Sequence, residues 1–488
     1  EEKMIISINR SGSYVAKWAA MFTVIVVTIV TSCKKFVQID PPSTALTRAV
    51  VYGDDLSAAS AMTSIYYNMM YGFSGLSQGT QSISCLTGLT ADEFKDYSST
   101  FVALGQCYTN TLSSSSAYFW TELFNEIHVA NAVLEGLSVS STVTPLEKQQ
   151  LIGEAKFMRA FFDYYGTNLF GDFPLVTSTS YETNNVIHRS SQAQVYQQVI
   201  SDLRDAESRL GEDFVTPTGG TITAERVRPN KWAAAALLAR AYLFSGSWDS
   251  AEAQSTQIIN SGHFGLVGHL DSVFLKNSTE AIWQLQPVRP GYNTLDAYYF
   301  VLHSVPGSGQ APVGLSASLL STFDSGDQRL AHWVHSFSSG GRTYYYPYKY
   351  KANKFGTSLP VTEYLMVLRL AEQYLIRAEA RAQKGNLLGA AADLNTIRMR
   401  AGLDSTQATT QSDLLTAIYH ERQVELFTEW GHRWFDLKRT GNINAVMGSP
   451  GNVCQSKGGT WNTDWALFPI PLSERTVNPN LIQNPGYN

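Results

Sequence analysis

Apolar residues recur at helical intervals through most of the chain. In "SAYFWTELFNEIHVANAVLEGL" (116–137), Phe119, Leu123, Ile127, Ala130 and Leu134 follow at steps of three and four, which predicts a helix with one apolar face. "PLEKQQLIGEAKFMRAFFDYYGTNLFG" places Pro145 in a first helical turn and ends on glycine, a start and a stop for a second helix. "SQAQVYQQVISDLRDAESRL" predicts a third, with Val195, Val199, Leu203, Ala206 and Leu210 turned inward. Residues 54–262 thus read as long amphipathic helices with short connections.

Two segments share a spacing. Ala239, Tyr242, Gly246 and Ala251 occupy relative positions 0, 3, 7 and 12, and Ala378, Arg381, Gly385 and Ala390 repeat those intervals. This is the skeleton of a tetratricopeptide helix hairpin, in which small residues let two helices approach and glycine ends the first. Arg replaces Tyr in the second copy, and Ala stands in both where the first helix usually carries Gly. Because the copies lie 139 residues apart, the pattern predicts a helical repeat interrupted by an insertion rather than a tandem array. The insertion, 263–361, is loop-rich: "EAIWQLQP" is strand-like with Trp283 in the core, and "GGRTYYYPYKYKANKF" predicts an extended Tyr-rich ribbon. Helices are expected again from 362, within a C-terminal region 263–488. The fold class is mainly α, built on tetratricopeptide-like hairpins, with a loop-rich insertion and little β-structure.

The N-terminus adds an address. Lys3, Arg10 and Lys17 precede the apolar run "WAAMFTVIVVTIV" (18–30), too short for a comfortable span but suited to a signal-peptide core. The run ends in "VTSC", small residues before Cys33, as in a bacterial lipobox. Residues 1–32 are therefore expected to be a lipoprotein signal peptide, Cys33 the lipidated residue, and 33–53 a tether; the alternative is an ordinary signal peptide with a cysteine nearby. Of the other cysteines, Cys85 and Cys107 form the plausible disulfide and Cys454 is left over; no C-x-x-C spacing suggests zinc. With 44% apolar and 16% charged residues a large core is expected, and a net charge of −5 gives no electrostatic case for nucleic acid.

No motif for nucleophilic, metal-dependent or phosphate chemistry occurs. Carboxylate pairs such as Asp92 and Glu93 could in principle serve glycoside hydrolysis. Aromatic loops are the stronger lead, because sugar C–H faces stack on Tyr or Trp while hydroxyls take hydrogen bonds. They offer Tyr71, Tyr97, Tyr292, Asp296, Tyr298 and Tyr299 as ligand-binding candidates, with the run Tyr344–Tyr346 beside them.

The densest mixture of acids, bases and aromatics is "ERQVELFTEWGHRWFDLKRTG" (421–441). Val424, Phe427, Trp430, Trp434 and Leu437 form one stripe, and Glu421, Glu425, Glu429, Arg433 and Asp436 a neighbouring one, which predicts a single helix braced by ion pairs. Glu429 and Arg433 stand at i, i+4, and Glu421 and Glu425 are to be neutralised by Arg422 or by arginines of other helices.

Glu421, Arg422, Glu425, Leu426, Glu429, Gly431, Arg433, Phe435, Asp436, Leu437, Lys438 and Arg439 together resemble the C-terminal signature of the SusD/RagB family of outer-membrane nutrient-binding lipoproteins. "EAKFMRAFFDYYGTNLFGDFPLV", "PNKWAAAALLARAYLFSG", "FDSGDQRL" and "LRLAEQYLIRAEARAQKGN" match further family segments in order. The resemblance implies a lipid-anchored protein at the cell exterior that binds oligosaccharides, or peptides in some branches. It also implies delivery to a TonB-dependent SusC-like β-barrel without catalysis, cofactor or metal. The basic "CKK" start departs from the acidic residues that often accompany surface export.

Overall fold

Asp54 accepts the Ser57 N–H at 2.9 Å and so caps α1 (Asp55–Tyr71), which buries Ala58, Met62, Ile65 and Met69. The computed structural model describes residues 17–18, 47–72, 76–218, 220–307 and 311–487. Cys33, the expected signal peptide apart from residues 17–18, and residues 33–46 of the expected tether lie outside them, while the end of that tether is a short helix, Arg48–Val51, followed by the buried Tyr52. Residues Ala49–Asn488 make one compact unit. Helix α2 (Ile83–Thr90) is buried along its whole length. Helix α3 (Trp120–Val139) begins four residues later than the periodicity predicts, because Phe119 sits at a φ of 71° outside the helical region. Helix α4 (Pro145–Phe170) starts at its proline and stops at Gly171, φ 76°. Helix α5 (Gln192–Arg209) opens with a capping box between Ser191 and Gln194, and Val195, Val199, Leu203 and Ala206 are fully buried.

The repeat spacing is realised in two hairpins. The first joins α6 (Lys231–Phe244) to α7 (Trp248–Asn260) through Gly246, φ 72°. A short helix of the intervening segment, α8 (Leu295–Phe300), precedes the second, in which Gly385, φ 81°, joins α9 (Leu370–Gln383) to α10 (Leu387–Arg400). Ala239, Ala251, Ala378 and Ala390 have no exposed surface. Ala239 and Ala251 of the first hairpin share one apolar cluster with Ile376 and Ala380 of the second, so the separated copies pack directly on each other. Small side chains at these positions permit that approach.

Six short strands are present among the described residues: β1 (Phe94–Asp96), β2 (Ala281–Leu285), β3 (Val313–Leu315), β4 (Val334–Ser339), β5 (Arg342–Pro347) and β6 (Leu365–Arg369). They pair antiparallel as β1–β3, β2–β6 and β4–β5. Helices were expected from 362, but "LMVLR" is a strand that crosses the core, buried on both faces, and only then turns into α9. Trp283 on β2 is buried as expected, its ring meeting Phe157, Phe161 and Tyr66 at 5.1, 5.6 and 6.2 Å. The disulfide expectation is overturned: Cys85, Cys107 and Cys454 are all free and buried. Cys85 and Cys107 fill the apolar core as small hydrophobes, and burial pushes the Cys107 thiol up to about 12.

Candidate functional site

The acid-rich stretch is not one helix. Helix α11 (Gln411–Glu425) ends at Leu426, and α12 (His432–Arg439) starts after Gly431. Thr428, Trp430 and Gly431 between them have positive φ (56°, 47° and 74°). Tertiary bonds hold that turn: the Trp430 N–H donates to Ser84 Oγ and its indole N–H to the Met366 carbonyl, each at 2.8 Å. With the helix broken, the i, i+4 pair Glu429–Arg433 does not form. Arg433 instead clamps Asp92 at 2.7 and 2.8 Å, and Glu429 binds Lys349 and Arg369.

Arginines of other elements, not Arg422, neutralise the two remaining glutamates. Glu421 meets Arg329 at 2.6 Å and Arg398 at 3.3 Å, while Glu425 receives Arg329, Arg369 and Arg400. Arg422 and Arg439 both pair with Asp436 at 2.7 Å. Burial alone would raise the Glu425 carboxyl, but Arg400, Arg369 and Arg329 outweigh it and hold it well below the usual range. Glu421 and Glu425 have no exposed surface, so no ligand reaches them. Asp92 and Glu93 fare alike: Asp92 is 3% exposed under Arg433, and burial pushes Glu93 up to about 8 while it accepts the Thr428 N–H. Neither is presented to a sugar.

The exposed chemistry lies on another face. Tyr67 and Tyr71, one turn apart at the end of α1, are 45% and 50% exposed and stack at 5.0 Å with planes 21° apart. The Arg289 guanidinium lies 5.6 Å from the Tyr71 ring and 5.9 Å from that of Tyr292. Tyr292 in turn stacks on Phe355 at 5.4 Å, planes 9° apart, and Tyr298 stands edge-on to both at 5.2 and 6.1 Å. Tyr299 backs Tyr298 at 5.1 Å. The row Tyr67–Tyr71–Arg289–Tyr292–Phe355 is a shelf of ring faces, with Phe355 62% exposed.

Interior polar groups fix this shelf. Gly291, φ 82°, lets its loop lie against Gly356: an added Cβ would come within 3.0 Å of the Gly356 carbonyl carbon, and Gly356 N–H donates to the Gly291 carbonyl at 2.8 Å. That approach delivers Phe355 to Tyr292. Asn293 Oδ1 accepts the N–H groups of Thr362 and Glu363 at 2.8 and 2.9 Å. Asp296 points inward, 5% exposed, accepting the Gly79 N–H at 2.7 Å, and burial raises its carboxyl to about 7. Gln78 Oε1 accepts the Leu295 N–H at 2.8 Å, completing the stitch between the loop after α1 and α8.

Four of the six candidates, Tyr71, Tyr292, Tyr298 and Tyr299, therefore come together. Asp296 lies beneath the others, and Tyr97 belongs to a neighbouring cluster. Its ring meets Tyr344 edge-on at 5.4 Å, with Lys95 5.2 Å above it. Tyr344 and Tyr346 face inward from β5, leaving Tyr345 between them 42% exposed. Sequence reasoning missed Tyr67, Arg289 and Phe355. The i, i+4 spacing of Tyr67 and Tyr71 was a usable signal; nothing local marks Phe355.

Beside Tyr67 a cavity of about 370 Å³ opens between α1 and the 215–228 loop. Tyr66, Tyr67, Val215, Pro217, Val227 and Val288 wall it, and Glu225, Arg228 and Gln286 supply polar groups. A second cavity of about 220 Å³ lies by Trp120 and Leu481. Among the described residues no His, Cys, Asp and Glu cluster could hold a metal, and no helix is long and apolar enough to cross a membrane.

Comparison with known proteins places this architecture. The family described as the SusD family matches residues 177–487, and one described as "Starch-binding associating with outer membrane" matches 55–243. A SusD-like protein of Formosa agariphila is 24% identical over 94% of this chain and 96% of its own. The starch-binding protein SusD of Bacteroides thetaiotaomicron is 33% identical over 127 residues, 25% of this chain and 21% of that one. A SusD superfamily structure from Bacteroides vulgatus superposes with a TM-score of 0.76 at 20% identity, covering 89% of this chain and 99% of that one. A laminarin-binding SusD-like protein superposes at 0.71 with 21% identity, over 88% and 99%. These superpositions establish the shared fold. With the family match spanning most of the chain and the helical architecture agreeing along the described residues, the protein belongs to the SusD family.

Proposed function

We propose that the protein is a cell-surface lipoprotein, anchored through Cys33, that captures oligosaccharides and passes them uncleaved to a TonB-dependent SusC-like barrel in the outer membrane. One observation carries the capture step: an exposed, preorganised shelf in which Tyr71, Tyr292 and Phe355 present ring faces around Arg289. Aromatic faces match the C–H faces of pyranose rings, and the guanidinium offers donors to hydroxyls. Relatives described as binding starch and laminarin support the ligand class, and the family description supports the outer-membrane setting. Burial of Asp92, Glu93, Glu421 and Glu425 favours binding over hydrolysis.

A glycan array followed by calorimetry tests the reading. Phe355→Ala, at an exposed position, is expected to weaken the best-binding glycan by ~1–1.5 kcal/mol, roughly five- to tenfold, without moving the melt. Binding of peptide mixtures in place of every glycan would transfer the site to the peptide-binding branch.

A further inference from the structure

Arg289 differs from a solvated surface charge. Half-buried, it lies over the rings of Tyr71 and Tyr292, which hold its side chain in place and bring no formal charge of their own. The chain around it is one-sided in charge. Residues 63–82, from the middle of α1 to the start of α2, are uncharged throughout. Residues 286–312 carry Arg289, Asp296 and His303, and residues 351–363 carry Lys351, Lys354 and Glu363. Both acids turn inward. Asp296 is 5% exposed on the Gly79 N–H, and Glu363, 4% exposed, accepts the N–H groups of Lys351 and Ala352 at 2.7 and 3.0 Å. Lys351 is answered by Asp271 at 2.8 Å. Arg289 and the exposed Lys354, the residue before Phe355, therefore bracket the Tyr292–Phe355 stack with positive charge.

Carboxylates of neighbouring elements are spent elsewhere. Glu225, in the cavity beside Tyr67, faces Lys276 at 4.0 Å and is hydrogen-bonded by Tyr364. Glu126, Glu147 and Glu154 are buried against Asn68, Arg228 and Tyr66. The protein as a whole is acidic, net −5, so the excess of positive charge is local to the ring faces. A neutral sugar would use the rings and leave both cations idle.

We infer that the shelf selects anionic glycans: pyranose rings stack on Tyr71, Tyr292 and Phe355 while a carboxylate or sulfate substituent pairs with Arg289 and Lys354. The inference rests on the glycan-binding reading above and adds to it the charge class of the ligand. A guanidinium suits either substituent, because its N–H groups form a planar fork that can bind two oxygens at once. Lys354 adds a point charge on a flexible stem, which adapts to where along the chain the next anion falls.

The test is calorimetric titration of the full chain with three oligosaccharides of one length: neutral, uronate-bearing and sulfated. Charge-assisted hydrogen bonds exceed neutral ones, so at least one anionic ligand is expected to bind roughly five- to tenfold more tightly than the neutral one. That preference should shrink as salt is raised from about 0.05 to 0.5 M, and the two anionic arms show which substituent is read. Arg289→Gln is expected to abolish the preference, and Arg289→Lys, which keeps the charge without the fork, to retain part of it. Lys354→Gln, at an exposed position where the fold is untouched, is expected to cost about threefold for the anionic ligand and nothing for the neutral one. Equal or tighter binding of the neutral ligand, a preference unmoved by salt, or an unchanged preference in both Gln variants would overturn the inference while leaving the glycan reading standing. Absence of any glycan binding by the wild type would instead remove that reading and this one with it.

Discussion

Replacing Glu425 by Gln tests whether the acid–base cluster is a brace. Five buried carboxylates (Glu280, Asp327, Glu421, Glu425, Glu429) interlock with Arg329, Lys349, Arg369 and Arg400, all nearly without exposed surface, and with Arg398, 15% exposed and shared with the surface carboxylate of Asp324. Glu425 is the hub, receiving three guanidiniums on two oxygens. Gln keeps the shape but removes one negative charge and turns an amide N–H₂ toward arginine donors. Breaking a buried pair in this way costs about 3–5 kcal/mol. Unfolding a compact unit of about 440 residues (Ala49–Asn488) carries ~2.1 cal/mol/K per residue, ~0.9 kcal/mol/K in all, so the melt should fall by ~3–5 °C at pH 7.

The pH dependence follows from linkage. The folded-state carboxyl of Glu425 lies below its ordinary value of 4.5, so its contribution is present above pH 4.5 and is lost as pH falls through the folded value. Differential scanning calorimetry of both proteins should therefore show a constant gap near neutrality that narrows below pH 4.5. A drop under about 1 °C, or a gap that widens in acid, refutes the brace. So does a loss of glycan affinity in protein that remains folded.

Two further outcomes are expected. Burial lifts Asp296 to about 7, above its ordinary 3.8, so the folded state holds that proton more tightly and stability is lost as pH rises from about 4 through 7. Asp296→Asn, which keeps an oxygen for Gly79 N–H, should melt higher than wild type at pH 8, by on the order of 1–4 kcal/mol, and alike at pH 4; equal melts at both would contradict this. Cys33→Ala should move the protein from the membrane pellet to the soluble fraction in cell fractionation, and retention as strong as wild type would end the lipid-anchor proposal.

Much of the helical frame was legible because its causes are local. Pro145, Gly171, Gly246 and Gly385 act within their own turns, and the alanines at shared intervals need only a neighbour to approach. What sequence could not show is where tertiary contacts override a sound local pattern. The stripe Val424–Leu437 continues at helical spacing straight through Thr428 and Trp430, yet Ser84 and Met366, remote in sequence, supply the bonds that unwind it. Strand β6 was hidden likewise: five residues buried on both faces carry no alternation to tell strand from helix.

The binding face shows a division of labour that composition alone conceals. An acid among tyrosines suits a sugar, but the Asp296 carboxyl is spent on Gly79 and its helix is held by Gln78. Asp296, Asn293 and Gln78 point inward and fasten loops, while the rings stack in pairs around Arg289 with Tyr67, Tyr71 and Phe355 left exposed. Phe355 reaches Tyr292 only because two glycines, Gly291 and Gly356, bring separate loops into contact. A shelf fixed from beneath loses little side-chain freedom when a ligand settles on it, so ring contacts modest in themselves can register as affinity. The same logic explains why the stretch richest in ionisable groups does not bind: charges that saturate one another in the core have no donors or acceptors left to offer, and the groups still able to recognise anything are the quiet ones outside.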